Sequence, residues 1–307
     1  MSRILVFGST GRQGTSCVRC LLNCGERVAK VRAYCSVVTP ILHEIQQHHK
    51  DKIECYVADI TDPSALRNAM NDMDTVVLIQ NPLHYGETIE DGCAKENEIG
   101  QEIINLATNS SNIKNFVFSS WISAGAAKGV LPLKTKYNLE DCLRTKKLKF
   151  ERCCLLRPAV FFDHLLLDTT LSHNKLSLPF HPHTNVPWVS INDVGAALAQ
   201  CCIEPTVSTS FRNNIIELVG EVLQPAEMAE TLNVAYEQSP LAHVEDKYHA
   251  QLMAFIQTEP AQPDTALSHQ AFPFLKNFQQ FADANGLLNK TRGNDEDGTV
   301  QDCSGLA

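Results

Sequence analysis

No surplus of positive charge runs through this chain. Its 307 residues include 26 lysines and arginines against 35 aspartates and glutamates, a formal net charge of −9. That balance excludes broad electrostatic attraction to nucleic acid or to an anionic membrane. The densest basic run, RTKKLK at 144–149, reads as the solvated end of a helix. Long apolar stretches are also missing, so no segment is expected to cross a bilayer as a helix. The opening lacks a charged region followed by an apolar one, so no secretory signal is expected. These absences lead to the expectation of a cytoplasmic protein, with the nucleus as a second compartment.

Metal-ligand spacing is absent as well. Twelve cysteines are present, and in a reducing compartment they are expected as free thiols. Cys17, Cys20 and Cys24 share one helix side without a fourth ligand, and His181 and His183 flank a proline in an expected loop. Most of the cysteines read as small core hydrophobes. Cys17, close to a helix N-terminus, is the nearest candidate for a reactive thiol.

What is present is a rhythm. With 44% hydrophobic residues the chain has ample material for a core. Apolar runs such as RILVF (3–7), RVAKVRAY (27–34), KIECYVADI (52–60), DTVVLIQN (74–81) and KNFVFSS (114–120) alternate with helical patterns. The alternation predicts an α/β fold, a Rossmann-type doubly wound parallel sheet. Residues 1–150 are expected to form this dinucleotide-type domain, and 151–288 a smaller α/β lobe interwoven with it. The polar segment 289–307 is expected to be disordered. In the second half, FERCCLLRPAVFF reads as a sixth strand, the proline-rich LSLPFHPHTNVPW as irregular or edge structure, and NDVGAALAQCCI as a helix capped by Asn192 or Asp193. NIIELVG then reads as a strand, PAEMAETLNVAYEQ as a helix, and FLKNFQQFADANG as a closing helix stopped near Gly286.

Between the first strand and the first helix stand Gly8, Ser9, Thr10, Gly11, Arg12, Gln13 and Gly14. The glycine spacing is G-x-x-G-x-x-G. Gly8 permits the tight turn, Gly11 lets backbone amides approach a pyrophosphate, and Gly14 lets the helix pack on the sheet. The helix N-terminus adds partial positive charge. In this strand-to-helix context the loop points to dinucleotide binding. Asp59, ending the third strand, is expected to accept from an adenine amino group, with Ile60 packing on the ring. After the second strand stand Cys35 and Ser36, neither an acid for a ribose nor a guanidinium for a 2′-phosphate. Arg12 is then the nearest phosphate partner and Ser36 a neutral donor, which favours NADP(H) over NAD(H).

VFGSTGRQG, VFSS, LRPAVFFDHLL, VPWVSINDVGAAL and LQPAEMAETL, in this order from Ile4 to about Gly286, resemble segments of the NmrA-like family. This is an atypical branch of the short-chain dehydrogenase/reductase group, and the chain is most similar to its animal NADPH-sensing members. The resemblance implies NADP contacts at Gly8 to Gln13, Asp59 and Ile60, and at Gln80, Asn81 and Pro82 after strand four. It places Lys136 near the nicotinamide ribose, and Phe161, Phe162, Asp163 and His164 in the loop closing over the nicotinamide. Two positions depart from the family: its arginine after strand two falls at Ser36, and the asparagine ending its closing loop at His164. The resemblance also implies a regulatory protein partner, such as a transcription factor or metabolic enzyme, and allows a homodimer.

One further absence bears on chemistry. Active short-chain reductases place a tyrosine four residues before the lysine, where it exchanges a proton with the substrate oxygen. Here Pro132 stands four residues before Lys136. Tyr137 faces another direction on the helix, and Ser119 and Ser120 read as caps or pocket lining. The expected protein is a dinucleotide-binding redox sensor without routine dehydrogenase activity. The alternative is an NAD(P)H-dependent carbonyl or quinone reductase with His164 as an unusual proton donor.

Overall fold

In the computed structural model, the residues described are 1–125, 129–167, 169–204, 215–241, 247–259 and 261–290. Near-continuous apolar runs make the strands of a parallel sheet, those at its centre buried on both faces. They are β1 (Ser2–Phe7), β2 (Val28–Cys35), β3 (Ile53–Val57), β4 (Thr75–Ile79), β5 (Asn115–Ser119) and β6 (Arg152–Pro158). The helices after them are α1 (Arg12–Leu22), α2 (Pro40–His48), α3 (Pro63–Ala69), α4 (Ile89–Asn109) and α5 (Leu131–Lys146). The main sheet has seven strands in the order β11-β6-β5-β4-β1-β2-β3, where β11 is Ile215–Leu218. All its pairings are parallel. The expected Rossmann-type doubly wound sheet is what the chain forms.

Strand alternation divides the core into two layers. Ile4, Val6, Val77 and Val117 face α1, α2 and a further helix, α6 (Ile191–Ile203). Leu5, Phe7, Val76, Leu78, Phe116 and Phe118 face α3, α4 and α5. Strand order reverses between β1 and β4, whose Cα partners run from Ile4–Thr75 to Phe7–Leu78. A crevice outside the carboxyl ends of strands forms at such a reversal.

The second half does not stand apart. β6, α6 and β11 all belong to the main sheet or its covering layer, so the main sheet is completed by residues well past 150. The smaller lobe is built from two three-stranded sheets. One holds β7 (Val160–Phe161), β10 (Val186–Val189) and β12 (Glu221–Leu223); the other holds β8 (Leu171–Ser172), β9 (Lys175–Leu178) and β13 (Ala235–Gln238). Its core is aromatic. Phe162 stacks on Trp188 with centroids 5.9 Å apart, and its ring also meets Phe278 and Phe281.

Several local expectations are corrected. The stretch 176–188 is not irregular throughout: β9 and β10 occupy its ends, and Pro187 lies inside β10. Prolines had hidden the strands, because a strand accepts proline only where no ladder N–H is required. Ser190, rather than Asn192 or Asp193, caps α6, its Oγ accepting from Asn192 N at 3.2 Å. The helix at Pro225–Leu232 stops at Asn233, which adopts φ +56°, and the next residues form β13. The last expected helix is shorter, Phe278–Ala284, and begins in a capping box of Asn277 and Gln280. Residues 289 and 290 close a short helix, Leu287–Lys290, and the rest of the expected disordered tail lies outside the described residues. Among the described residues no helix is long and apolar enough to cross a membrane.

Candidate functional site

The glycine loop sits at the strand-order reversal, and its shape needs glycine at two points. Gly8 adopts φ +76°, and a Cβ there would lie 2.2 Å from the Ile79 carbonyl oxygen. A Cβ on Gly14 would lie 2.0 Å from the oxygen of Gly8. Both contacts are impossible for a side chain, so β1, β4 and α1 close on one another only with these residues. The buried hydroxyl of Ser9 donates to Tyr34 O at 2.7 Å, and Thr15 Oγ1 donates to Ser9 O at 3.0 Å. Ser9 therefore shapes the loop from behind. Gly11 caps α1 without a side-chain bond, which leaves the first-turn amides facing the crevice with the positive end of the helix dipole.

Arg12 extends from the loop across the crevice, where its Nη2 pairs with Asp163 Oδ1 at 3.3 Å. The other oxygen of Asp163 accepts from Ile191 N, the first amide of α6, at 2.8 Å. Burial pushes the Asp163 carboxyl up, while that amide and Arg12 oppose the shift. Gln13 accepts from Ser119 Oγ at 2.9 Å, joining the loop to the end of β5. Thus the glycine loop is tied to both flanks.

The adenosine side is open. Ser36 and Val37 are exposed, and no acid occupies 36–39. β3 ends at Val57, so Asp59 lies in the following turn rather than in the strand. There Oδ1 accepts from both Thr61 N and Thr61 Oγ1 at 2.8 Å, and these bonds hold the carboxyl below its usual range. Tyr34 donates to Asp59 O at 2.8 Å, and Ile60 packs partly on the core beside it.

The opposite end of the crevice is dense with buried charge. Lys136 Nζ donates to Glu96 Oε1 at 2.6 Å and to the Gln80 carbonyl at 2.7 Å, with both charged side chains almost wholly enclosed. Burial pushes the Glu96 carboxyl up, and Lys136 opposes that shift. Glu96 Oε2 and Gln80 Oε1 are buried without a partner among the described residues. Asn81 Oδ1 accepts from Leu83 N at 3.1 Å, and Pro82 is buried behind it. Ser120 donates to Glu140 Oε1 at 2.6 Å, and Arg157 grips the same carboxylate with bonds of 2.8 and 2.6 Å.

The two serines at this end are engaged, and no tyrosine stands four residues before Lys136. Ser119 and Ser120 are committed to Gln13 and Glu140, and Pro132 is buried where a tyrosine would stand. The ring of Tyr137 lies under the Arg144 guanidinium, 5.0 Å from it. Tyr85 is pushed up to about 12 by burial. His164 stacks on Phe161 and meets His249 edge-on, with centroids 6.2 and 6.0 Å apart. Burial, with His249 and Arg12 adding to it, pushes the imidazole down to about 4, so it is neutral near pH 7. Its Nε2 is enclosed with no partner among the described residues.

Of the residues singled out in the sequence, the loop 8–14, Gln80, Lys136, Phe161, Asp163 and His164 lie around this crevice. Phe162 does not face it: the ring is spent in the aromatic core of the smaller lobe. Sequence reasoning missed Glu96, Glu140 and Arg157. Glu140 had a signal, since it follows Lys136 by four residues and so shares its helix face. Glu96 had none among the acids of α4. Cys17 is fully buried and its thiol is pushed up, so it is not a reactive thiol. His181 and His183 are in ring contact with each other, and no metal-ligating cluster exists among the described residues.

Residues 1–262 match the model of the NmrA-like family. No curated protein matches the chain. Among solved structures, the fold is similar to that of NmrA, a negative transcriptional regulator, in complex with NADP. The two share 17% identity at a TM-score of 0.71, over 93% of this chain and 98% of that one. The same regulator in complex with NAD gives 18% identity and a TM-score of 0.72, over 96% and 98%. An NADPH-dependent quinone oxidoreductase of Escherichia coli is also similar, with 16% identity and a TM-score of 0.69, over 92% and 99%. Likeness at these identities extends to the fold.

Proposed function

This chain belongs to the NmrA-like family, and from that premise we propose that it is a regulatory protein that senses NADP(H) and has no routine dehydrogenase activity. The observation that carries the reading is the contrast within one crevice. The glycine loop keeps its full geometry, while Ser119 and Ser120 at the β5 end are committed to internal bonds and Pro132 stands where the proton donor would be. Binding needs the first; turnover needs what the second lacks. The Lys136 ammonium has one proton beyond its two bonds, enough to hold a ribose hydroxyl. Glu96 Oε2 is a further acceptor on the carboxylate that Lys136 holds.

The same reading gives the signal a route. Pyrophosphate at the loop amides lies next to Arg12, and Arg12 is paired to Asp163, which holds the first amide of α6. A ligand that draws the guanidinium toward its phosphates weakens that pairing, coupling occupancy to the smaller lobe by a population shift. A protein partner reading that lobe would sense the dinucleotide. NADP(H) stands ahead of NAD(H) by a narrow margin. Arg12 supplies a cation and no carboxylate follows β2 to repel a 2′-phosphate, but no second guanidinium stands at Ser36.

Calorimetric titration with NADPH, NADP, NADH and NAD tests binding, and NADPH oxidation with a quinone tests turnover. The expected result is binding with oxidation at the background rate. Failure of all four to bind sinks the reading, and sustained oxidation makes the chain a reductase like the quinone oxidoreductase it resembles in fold. Arg12→Ala should narrow the NADP/NAD affinity ratio; an unchanged ratio removes Arg12 from the 2′-phosphate.

A further inference from the structure

Four rings stand in a row from the sheet to the smaller lobe. Trp121, two residues past the end of β5, meets Phe161 edge-on with centroids 6.0 Å apart. Phe161 stacks on His164, and His164 meets His249 edge-on. The first three rings belong to the crevice. His249 does not: it comes from the helix Lys247–Thr258, which the proposed function leaves without a part.

That helix lies across the junction of sheet and lobe. Leu252 is fully buried in the core layer that faces α1 and α6, while Met253 and Ile256 are buried in the core of the smaller lobe. The helix also packs against α5, which carries Lys136. His249, Leu252, Met253 and Ile256 stand at i, i+3, i+4 and i+7, so they share one helix face. The three apolar side chains anchor the helix. His249 ends the same stripe at the crevice, a half-buried polar ring where a fourth apolar side chain would complete the seal.

The seal fails at one atom. His164 Nε2 is enclosed, but it has no hydrogen-bond partner among the described residues. A buried ring nitrogen left bare forfeits the bond that water would give it. The cover over His164 is therefore a contact of rings without a bond, and a ligand that brings a polar group to Nε2 gains what the cover withholds. A primary carboxamide carries both an N–H donor and a carbonyl acceptor, so it satisfies Nε2 in either tautomer of the neutral imidazole.

Building on the dinucleotide-binding reading, we propose that the helix Lys247–Thr258 is a latch on the crevice. With the crevice empty, His249 closes against His164. The nicotinamide half of a bound dinucleotide takes that place, its carboxamide bonding to His164 Nε2. The first turn of the helix is then released, while Leu252, Met253 and Ile256 keep the rest seated. The released turn is the surface on which a protein partner reads occupancy.

The test compares NADPH with 2′-phospho-ADP-ribose, which keeps the phosphates and adenosine but has no nicotinamide, on the full chain. Hydrogen exchange in the peptide covering 247–258 should rise with NADPH and stay unchanged with 2′-phospho-ADP-ribose. His249→Ala removes the competing ring, so calorimetry should show NADPH binding tightened about two- to tenfold, the worth of one aromatic pair. Affinity for 2′-phospho-ADP-ribose should stay within about twofold of the native value on the same scale. His249→Phe keeps a ring and should return the native affinity for NADPH. If neither ligand binds the native chain, the dinucleotide reading falls and the latch falls with it. If both bind, exchange at 247–258 that NADPH leaves unchanged or lowers overturns the latch alone. So does a His249→Ala variant that binds NADPH no more tightly, or that binds both ligands more tightly alike.

Discussion

The two ends of the crevice are built from different materials. At the glycine loop the working groups are backbone amides, and the side chains that matter are the ones missing from Gly8 and Gly14. At the β5 end the working groups are side chains, and nearly all of them are paired with one another: Lys136 with Glu96, Ser120 and Arg157 with Glu140, Ser119 with Gln13. Gly11 N donates to Gly8 O, while the amides of residues 12–14, in the first turn of α1, have no partner within the helix and remain available to a ligand. Ionised side chains in a buried site must find partners or shift their protonation. An end whose charges are mostly paired therefore holds its groups in place. On the proposed reading, the difference teaches how binding can persist without turnover.

The comparison breaks hardest at the glycine loop. Gly14→Val forces a branched side chain into the Gly8 carbonyl and parts α1 from β1, and calorimetry should find no measurable dinucleotide binding. Retained affinity would mean that the loop is not the binding element. Next in size is Glu96→Ala, which leaves Lys136 charged, enclosed and unpaired. Urea unfolding should report a loss of about 3–5 kcal/mol, the usual cost of removing one partner of a buried pair. Glu96→Gln keeps an acceptor in place and should cost less. A cost below that of a typical surface substitution would show that the β5 end is not held by its charges.

The smallest effect is a pH dependence, and it sharpens the contrast. The native imidazole of His164 is held near 4 against an ordinary 6.5. Between those values the unfolded chain takes up a proton that the native chain refuses, so this residue costs stability as pH falls from 6.5 toward 4. The carboxyls of Asp163 and Glu96 are pushed up, so protonation favours the native state and their contribution has the opposite sign. The difference between wild type and His164→Gln isolates the histidine. Plots of stability against pH for the two should run parallel at neutral pH and above and converge as pH drops, and a constant gap would place His164 in contact with water.

The sequence carried the fold well because both of its signals are local. Apolar runs bounded by turn residues gave six strands of the main sheet, and β11 was visible in NIIELVG. The glycine loop was legible for the same reason: three glycines in seven residues, set between a strand and a helix, mark a backbone that must pass close to something. The β5 end was not legible. Its partners lie far apart in the chain, with Glu96 and Lys136 separated by 40 residues and Arg12 and Asp163 by 151. No local pattern marks one glutamate of α4 as the one that turns inward. Phe161 and Phe162 show the limit most plainly. Adjacent and identical, they separate into crevice and core because a bend after β7 turns one ring each way. Proline misled in 176–188, where Pro187 occupies a strand that tolerates it.

The late arrival of β11 has a consequence for how the protein can be divided. The chain leaves the main sheet after β6, begins the smaller lobe, returns at Ile215–Leu218 to pair with β6 at its outer edge, and then completes the lobe with β12 and β13. A gene cut at residue 150 would yield a sheet ending at β5, with the backbone groups that β6 had satisfied facing solvent. An open, apolar strand edge of that kind recruits other chains. Neither half is therefore a heritable module that recombination could move alone, and the binding loop and the lobe that would report on it must be inherited, and must unfold, together.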